Sequence, residues 1–406
     1  MSVSENKLII AILIGAVAGI ICGWVFGPAM VSVAWIGDLF LDALKMMIIP
    51  LIVAAVISGV TSLGDIRKLG KVGGATLLYY AMTTAFAVLI GLFVVNLIQP
   101  GIGIEQLSDK VPESVAERAN TGAVDIIKSL ITPNIISAAA NTQLLPLIVF
   151  CLLFAAALTT IGEKNVTIIR FFDGLNEVMM KLVIWVMAFA PIGIFALIAG
   201  QFGKAGGGLA IKNELLAVGS YCFTVILGLT LHFILLFIIL ILFSNKGRQY
   251  LFKLLRALFT AFGTASSSAT LPLTMECALE AGVDKRSVKF VLPIGATINM
   301  DGTALYESVA VMFIAQAYGY PMGLGEQAII FITATLAAIG AAGIPQAGLV
   351  TMLIVLNAVN LPVEGIGMIL AVDWFLDRFR TTVNVWGDSV GAAVIEPYLP
   401  NVKSEK

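Results

Sequence analysis

Residues 249–280 read QYLFKLLRALFTAFGTASSSATLPLTMECALE. Both flanks are apolar, and the centre, TASSSAT (264–270), is a run of small and polar residues. Lys246, Arg248, Lys253 and Arg256 stand at its beginning, and Lys285, Arg286 and Lys289 follow its end. Lysine and arginine accumulate on the cytoplasmic side of membrane proteins. A segment that is positive at both ends starts and finishes on one side, so it turns back inside the bilayer, and TASSSAT is where it turns. A plain span with a glycine kink would misplace the charges after residue 280.

The rest of the chain supplies the membrane that this reading needs. Of 406 residues, 59% are hydrophobic and only 12% charged, and the mean hydropathy is +1.00. A water-facing surface cannot be covered with so few charges, so lipid replaces water over most of it. At about 20 apolar residues per span, the length allows roughly eight to ten membrane elements and leaves no room for a separate soluble domain. The net charge of −1, with no basic block, gives no sign of nucleic acid binding. Cys22, Cys151, Cys222 and Cys277 lie far apart in apolar segments, form no C-x-x-C pair, and read as small buried hydrophobes. The single histidine, His232, cannot make a metal site alone and reads as a structural helix residue.

Apolar runs near 8–28, 34–61, 72–99, 143–161, 168–200 and 214–243 are each long enough to cross a bilayer. The first run is too long for a signal peptide and is followed by more membrane-like sequence. Arg67, Lys68 and Lys71, then Lys164 and Arg170, mark cytoplasmic loops, whereas the acidic loop 101–128 fits the outside. Segment 325–361 mirrors 249–280, entering from the outside and breaking at AAGIPQAG (341–348). Non-helical backbone survives at membrane depth only inside protein or lining a cavity. Two hairpins entering from opposite sides, each followed by a helix, describe an inverted repeat with a site at the midplane.

Two helices carry the chemistry. Segment 285–318 is interrupted by NMDGT (299–303): Gly302 lets the helix unwind and frees carbonyls, and Asn299 and Asp301 add side-chain oxygens. An oxygen-only set suits Na⁺ better than a transition metal. In the last helix Asp373, Asp377, Arg380, Thr381, Asn384 and Asp388 fall within an arc of roughly 100° at helical spacing. Charges in a spanning helix cost several kcal/mol each and face a pathway or a partner. Salt bridges that merely tie helices together would not need the hydroxyl and amide on the same face. Arg380 offers a planar fork for a carboxylate, and Asp377, one turn earlier, can accept an ammonium. Asp373 can orient the guanidinium, and Asn384 and Asp388 are hard oxygen ligands. Together these read an α-amino acid with an acidic side chain. The hairpin tip Ser266–Ser268 adds hydroxyls and N–H groups for a carboxylate.

SSSATLP (266–272), NMDGTALYE (299–307), AAGIPQAG (341–348) and DWFLDRFRTTVNVWGD (373–388) resemble the dicarboxylate/amino acid:cation symporters, which include archaeal aspartate transporters and animal excitatory amino acid transporters. The resemblance covers nearly the whole chain. It implies an all-α integral membrane protein with eight transmembrane helices and two re-entrant hairpins, assembled as a homotrimer. A scaffold (1–71 and 101–212) would carry a transport unit (72–100 and 213–406) that slides as an elevator, with the second hairpin as gate. The implied substrate contacts are Ser267, Thr303, Ile344, Gly348, Asp377, Arg380, Thr381 and Asn384. One implied sodium site uses Gly295, Asn299, Asn384 and Asp388. A second uses Tyr80, Thr83, Thr84, Asn299 and Asp301, through YYAMTTAFAV (79–88), and a third uses backbone oxygens near Thr297, Ala338, Ile339 and Ala341. Ala265 stands where archaeal members have arginine, and Arg378 appears instead in the last helix, reaching the same space from the other wall. Glu307 is glutamine in archaeal members and glutamate in proton-coupled ones. A carboxyl buried in a membrane helix is costly to hold ionised and can carry a proton, so the expectation is proton transfer by Glu307. The competing role is a fixed ion pair with Arg378.

The expected activity is sodium- and proton-driven uptake of L-aspartate or L-glutamate, with no catalytic chemistry. A purely proton-driven symporter and a potassium counter-transporting member are the nearer alternatives. A hydrolase using Ser267 would need a base, and nothing places His232 nearby. An aspartyl protease built on Asp373 and Asp377 is opposed by Arg380, which would hold both carboxylates ionised. A channel would need a continuous pore. Short loops and missing tails suggest a bacterial inner membrane.

Overall fold

The computed structural model describes residues 3–61, 70–103, 128, 130–141, 143–161, 165–204, 209–244, 246–339 and 347–399. Arg67, Lys68, Lys164, most of the loop 101–128 and the tip of the second hairpin, Ala341 and Ile344 included, lie outside these residues. Among the described residues there is helix and no strand.

The apolar runs become α1 (Val3–Phe26), α2 (Ala34–Thr61), α3 (Gly70–Ile98), α4 (Ile135–Ala140) and α5 (Leu144–Thr159). They continue as α6 (Val166–Met187), α7 (Ala190–Lys204) and α8 (Leu209–Phe243). Run 168–200 is broken: α6 and α7 meet at 55°, where Pro191 opens α7 and cannot donate to the preceding turn. By length and apolarity alone, three segments qualify as spans: Ile10–Thr61, Gly70–Ile98 and Leu216–Phe243. The α6–α7 pair makes a fourth if counted as one. The remaining helices fail that test because they are short, interrupted or charged.

Those interrupted helices follow: α9 (Arg248–Thr264) and α10 (Ser267–Glu280), α11 (Lys285–Ile298) and α12 (Asp301–Ala317), α13 (Leu324–Ile339) and α14 (Ala347–Ala358), then α15 (Ile366–Ile395). α9 and α10 pack on each other as an antiparallel hairpin. Its open ends meet, since Arg256 pairs with Glu276 and the Lys253 ammonium donates to the Glu280 carbonyl. At the tip Ala265 takes a left-handed conformation (φ +50°) and ends α9. Ser266 then runs extended and its hydroxyl accepts the Ala269 N–H, capping α10. The turn therefore falls within TASSSAT. Asp284 caps α11 in the same way, accepting from the Arg286 N–H; the Arg286 guanidinium beside it also holds its carboxyl below the ordinary value.

The helices sort into two groups by packing. α1 and α2 lie against α7, and α5 and α6 lie against α2. α3 packs on α12, α8 and α13, and α15 packs on α8 to α12. Between the groups run sparser contacts, such as α15 with α7 and α14 with α2. The α3–α12 seam is tight: a Cβ at Gly91 would overlap the Ser308 hydroxyl and lie 2.9 Å from the Leu305 carbonyl. Overpacking of this kind costs about 1–3 kcal/mol. Gly91→Ala should therefore lower the thermal midpoint of the detergent-purified protein. Gly74→Ala on the same helix, where a Cβ meets nothing within 4 Å, should leave it nearly unchanged.

Candidate functional site

The breaks in α9–α10 and α11–α12 face the middle of α15, and two polar centres lie there side by side. The first is built on Arg380, which is fully buried. Its Nη1 lies 2.9 Å from Asp373 and its Nη2 2.8 Å from Asp377. Its guanidinium carbon sits 3.9 Å from the centre of the Tyr306 ring, on its face. These contacts are ionic and cation–π in character, and both carboxylates come from the helix that carries Arg380 itself. A planar donor fork in this condition is prepared for a carboxylate. Gly348 opens α14 against it: a Cβ there would approach Arg380 Nη1 to 2.9 Å. Gly302 lets the start of α12 approach α15, since a Cβ would meet the Arg380 carbonyl at 2.5 Å.

The second centre is made of oxygens. The helix break leaves Asn299 and Met300 in non-helical conformations and turns the start of α12 toward α15, where the Gly302 N–H donates to Asn384 Oδ1 at 2.8 Å. Asn384 Nδ2 reaches Met300 Sδ and Thr303 Oγ1. Asp388 accepts from Asn299 Nδ2 at 3.0 Å. Thr84 donates to Asp301 Oδ1 at 2.7 Å, and the Thr83 hydroxyl lies 3.4 Å from both Asn299 Oδ1 and Asp301 Oδ1. Tyr79 and Tyr80 spend their hydroxyls on backbone carbonyls of α15 and α11. Asp301, Asp388 and Asn299 are all buried. No lysine or arginine pairs with either carboxylate among the described residues. Buried carboxylates without a cationic partner are expensive, and hydroxyl, amide and carboxylate oxygens suit a hard monovalent cation. Gly295 keeps the space clear, because a Cβ would lie 2.5 Å from Asp388 Oδ1 and 2.6 Å from the Tyr80 hydroxyl. The residues present fit sodium.

The expected site residues divide accordingly. Tyr80, Thr83, Thr84, Gly295, Asn299, Asp301, Thr303, Gly348, Asp373, Asp377, Arg380, Asn384 and Asp388 converge as described. Ser267 and Thr381 are buried at the hairpin turn and on the polar face of α15. Ser266 uses its hydroxyl as a helix cap. Thr297 is exposed and bonded to its own helix, Ala338 is buried and Ile339 half-buried, with α11 touching α13. Arg378 donates Nη1 to the Phe262 and Gly263 carbonyls at 3.0 and 2.9 Å, so it grips the first hairpin from α15. It makes no ion pair with Glu307. Glu307 is fully buried, and the Thr351 hydroxyl and Arg380 are its polar surroundings.

Expected as a structural helix residue, His232 also contacts a distant carboxylate: its Nε2 lies 3.0 Å from Asp301 Oδ2, fully buried. It lies at the oxygen cluster, on Asp301. The available signal was an ionisable residue alone in an apolar helix, which by itself marks a functional position. Tyr306 was also missed, because an aromatic residue in a membrane helix carries no such mark.

Interrupted helices closing around an internal guanidinium and a cation cradle define a polytopic membrane transport protein. The family model of the sodium:dicarboxylate symporter family matches residues 8–397, and the chain belongs to that family. An excitatory amino acid transporter of Caenorhabditis elegans is 38% identical over 98% of this chain and 88% of its own length. Excitatory amino acid transporter 1 of Ambystoma tigrinum is 39% identical over 89% and 76%, and excitatory amino acid transporter 3 of Mus musculus 38% over 95% and 83%. These relatives are animal proteins and lend no support to a bacterial inner membrane.

Gly295→Ala should weaken cation binding by about tenfold or more, because the added methyl occupies the ligand sphere. The sodium concentration that half-stabilises the purified protein against heat measures this directly. An unmoved midpoint would put the cation elsewhere.

Proposed function

We propose that the protein is a secondary active symporter that takes up L-aspartate or L-glutamate, driven by sodium together with protons. The observation that carries this reading is the buried Arg380 fork beside an oxygen cradle. The guanidinium takes the side-chain carboxylate of the substrate. Asp377 then turns to the ammonium, and Asp373 and the Tyr306 face remain to hold the guanidinium in place. Thr303, Thr381 and Asn384 complete the polar wall, and the N–H groups at Ser267 and at the start of α14 receive the α-carboxylate. Ile344 adds its backbone from the second hairpin.

Sodium occupies the cradle of Thr83, Thr84, Asn299 and Asp301 and the adjoining space of Gly295, Asn384 and Asp388. A third ion uses carbonyls near Thr297, Ala338, Ile339 and Ala341. Asn384 touches both centres, giving cation and substrate a shared neighbour through which each can favour the other. Glu307 carries the proton. Its full burial in a membrane helix supports that role, and Arg378 is engaged elsewhere.

The chain forms eight transmembrane helices and two re-entrant hairpins in a homotrimer. Residues 1–71 and 101–212 act as scaffold, and 72–100 and 213–406 move across the bilayer as one elevator, with the second hairpin as gate. The sparse packing between the two helix groups supports this division. The names of the animal relatives favour acidic amino acids, and the intact oxygen cradle favours sodium over a purely proton-driven cycle.

Radiolabelled aspartate uptake in proteoliposomes, with sodium and pH gradients imposed separately, tests the proposal; uptake indifferent to sodium would contradict it. Arg380→Cys should shift preference from acidic to neutral amino acids, and a retained aspartate preference would remove its assigned role. Glu307→Gln should keep sodium-driven exchange and abolish the pH dependence of net uptake. Unchanged pH dependence would exclude Glu307 as the proton carrier.

A further inference from the structure

His232 is the one histidine in 406 residues. It lies in α8, whose residues 229–243 are otherwise almost wholly apolar. Its ring is fully buried, with Nε2 3.0 Å from Asp301 Oδ2 and Nδ1 without a hydrogen-bond partner. An ionised carboxylate only accepts, so Nε2 carries the proton and donates it. The opposite oxygen, Oδ1, receives Thr84 and lies within reach of Thr83. Gly387 of α15 lies close on the Oδ2 side, where a Cβ would come within 3.2 Å of Oδ2 and 2.9 Å of Asn299 Nδ2. The carboxylate is thus held from α8 on one oxygen and presented to α3 on the other.

We propose that His232 is a positioning residue for the coupling cation: its Nε2–H fixes Asp301 so that Oδ1 faces the Thr83–Asn299 space. This rests on the reading of Asp301 as a cation ligand. Donors that orient a ligating carboxylate are worth about 10–100-fold in metal affinity. The role needs the donor at the reach of Nε2, not the ring itself. Glutamine places an amide near that point, and asparagine, one bond shorter, imitates Nδ1 instead.

The test uses the full-length purified chain with sodium chloride as the probe. Two quantities are read: the sodium midpoint of thermal stabilisation in detergent, and the sodium half-saturation of aspartate uptake at saturating aspartate. His232→Leu should raise both by about 10–100-fold, while His232→Gln stays within about threefold of the parent protein. A role in stability alone would lower the sodium-free unfolding temperature of His232→Leu and leave the sodium midpoint in place, which overturns the proposal. Equal loss in the leucine and glutamine variants overturns it as well. If His232→Leu does not fold, glutamine against asparagine decides: normal sodium response in the first and weakened response in the second supports the proposal, and like behaviour rejects it. A parent protein without any sodium response would refute the cation reading of Asp301 itself, and the role of His232 with it.

Discussion

The fold is organised by the burial of one guanidinium. Taking an ion of this size out of water costs several kcal/mol even after relaxation, and an arginine on a membrane helix has only protein to compensate it. Asp373 and Asp377 supply opposite charge from its own helix, two turns and one turn back respectively, and Tyr306 supplies a π face from α12. The compensation is electrostatic and comes almost wholly from α15 itself. A fully hydrogen-bonded arginine would be a strut. This one is held by two carboxylates of its own helix and by one aromatic face, an arrangement in which a carboxylate can exchange for another acceptor.

The interrupted helices follow from the same constraint. Backbone released at membrane depth must find partners inside the protein. The break after Ile298 does so with Asn384, which takes the Gly302 N–H, and the hairpin turn does so with Ser266, which takes the Ala269 N–H. Each partner comes from a residue that also lines the site or its immediate edge. Glycines then set the distances: Gly302 and Gly348 admit the neighbouring backbone and guanidinium, and Gly295 leaves the cradle open. The two centres share α12 and α15.

Much of this was legible in the amino-acid order. The turn in 249–280 followed from charges on both sides of a polar centre, and the break at NMDGT from glycine and aspartate in an apolar run. The polar face of α15 followed from spacing alone, because charge is rare enough in such a helix that its phase carries information. The bend between α6 and α7 was less visible, since Pro191 lies inside a run that reads as continuous. His232 and Tyr306 were read in part or passed over for a different reason. Their importance lies in partners far away in the chain, Asp301 sixty-nine residues on and Arg380 on another helix, and no local pattern encodes such pairings. Arg378 came into view only through the family resemblance, and its grip on the Phe262 and Gly263 carbonyls depended on where the first hairpin ends.

A structure of the protein with L-aspartate and sodium bound tests the central claim most directly. The account predicts the substrate's side-chain carboxylate at hydrogen-bond distance from the Arg380 guanidinium, about 2.7–2.9 Å, its ammonium on Asp377, and Asp373 still beside Arg380. Aspartate density away from α15, with Arg380 still paired to both Asp373 and Asp377, would contradict it.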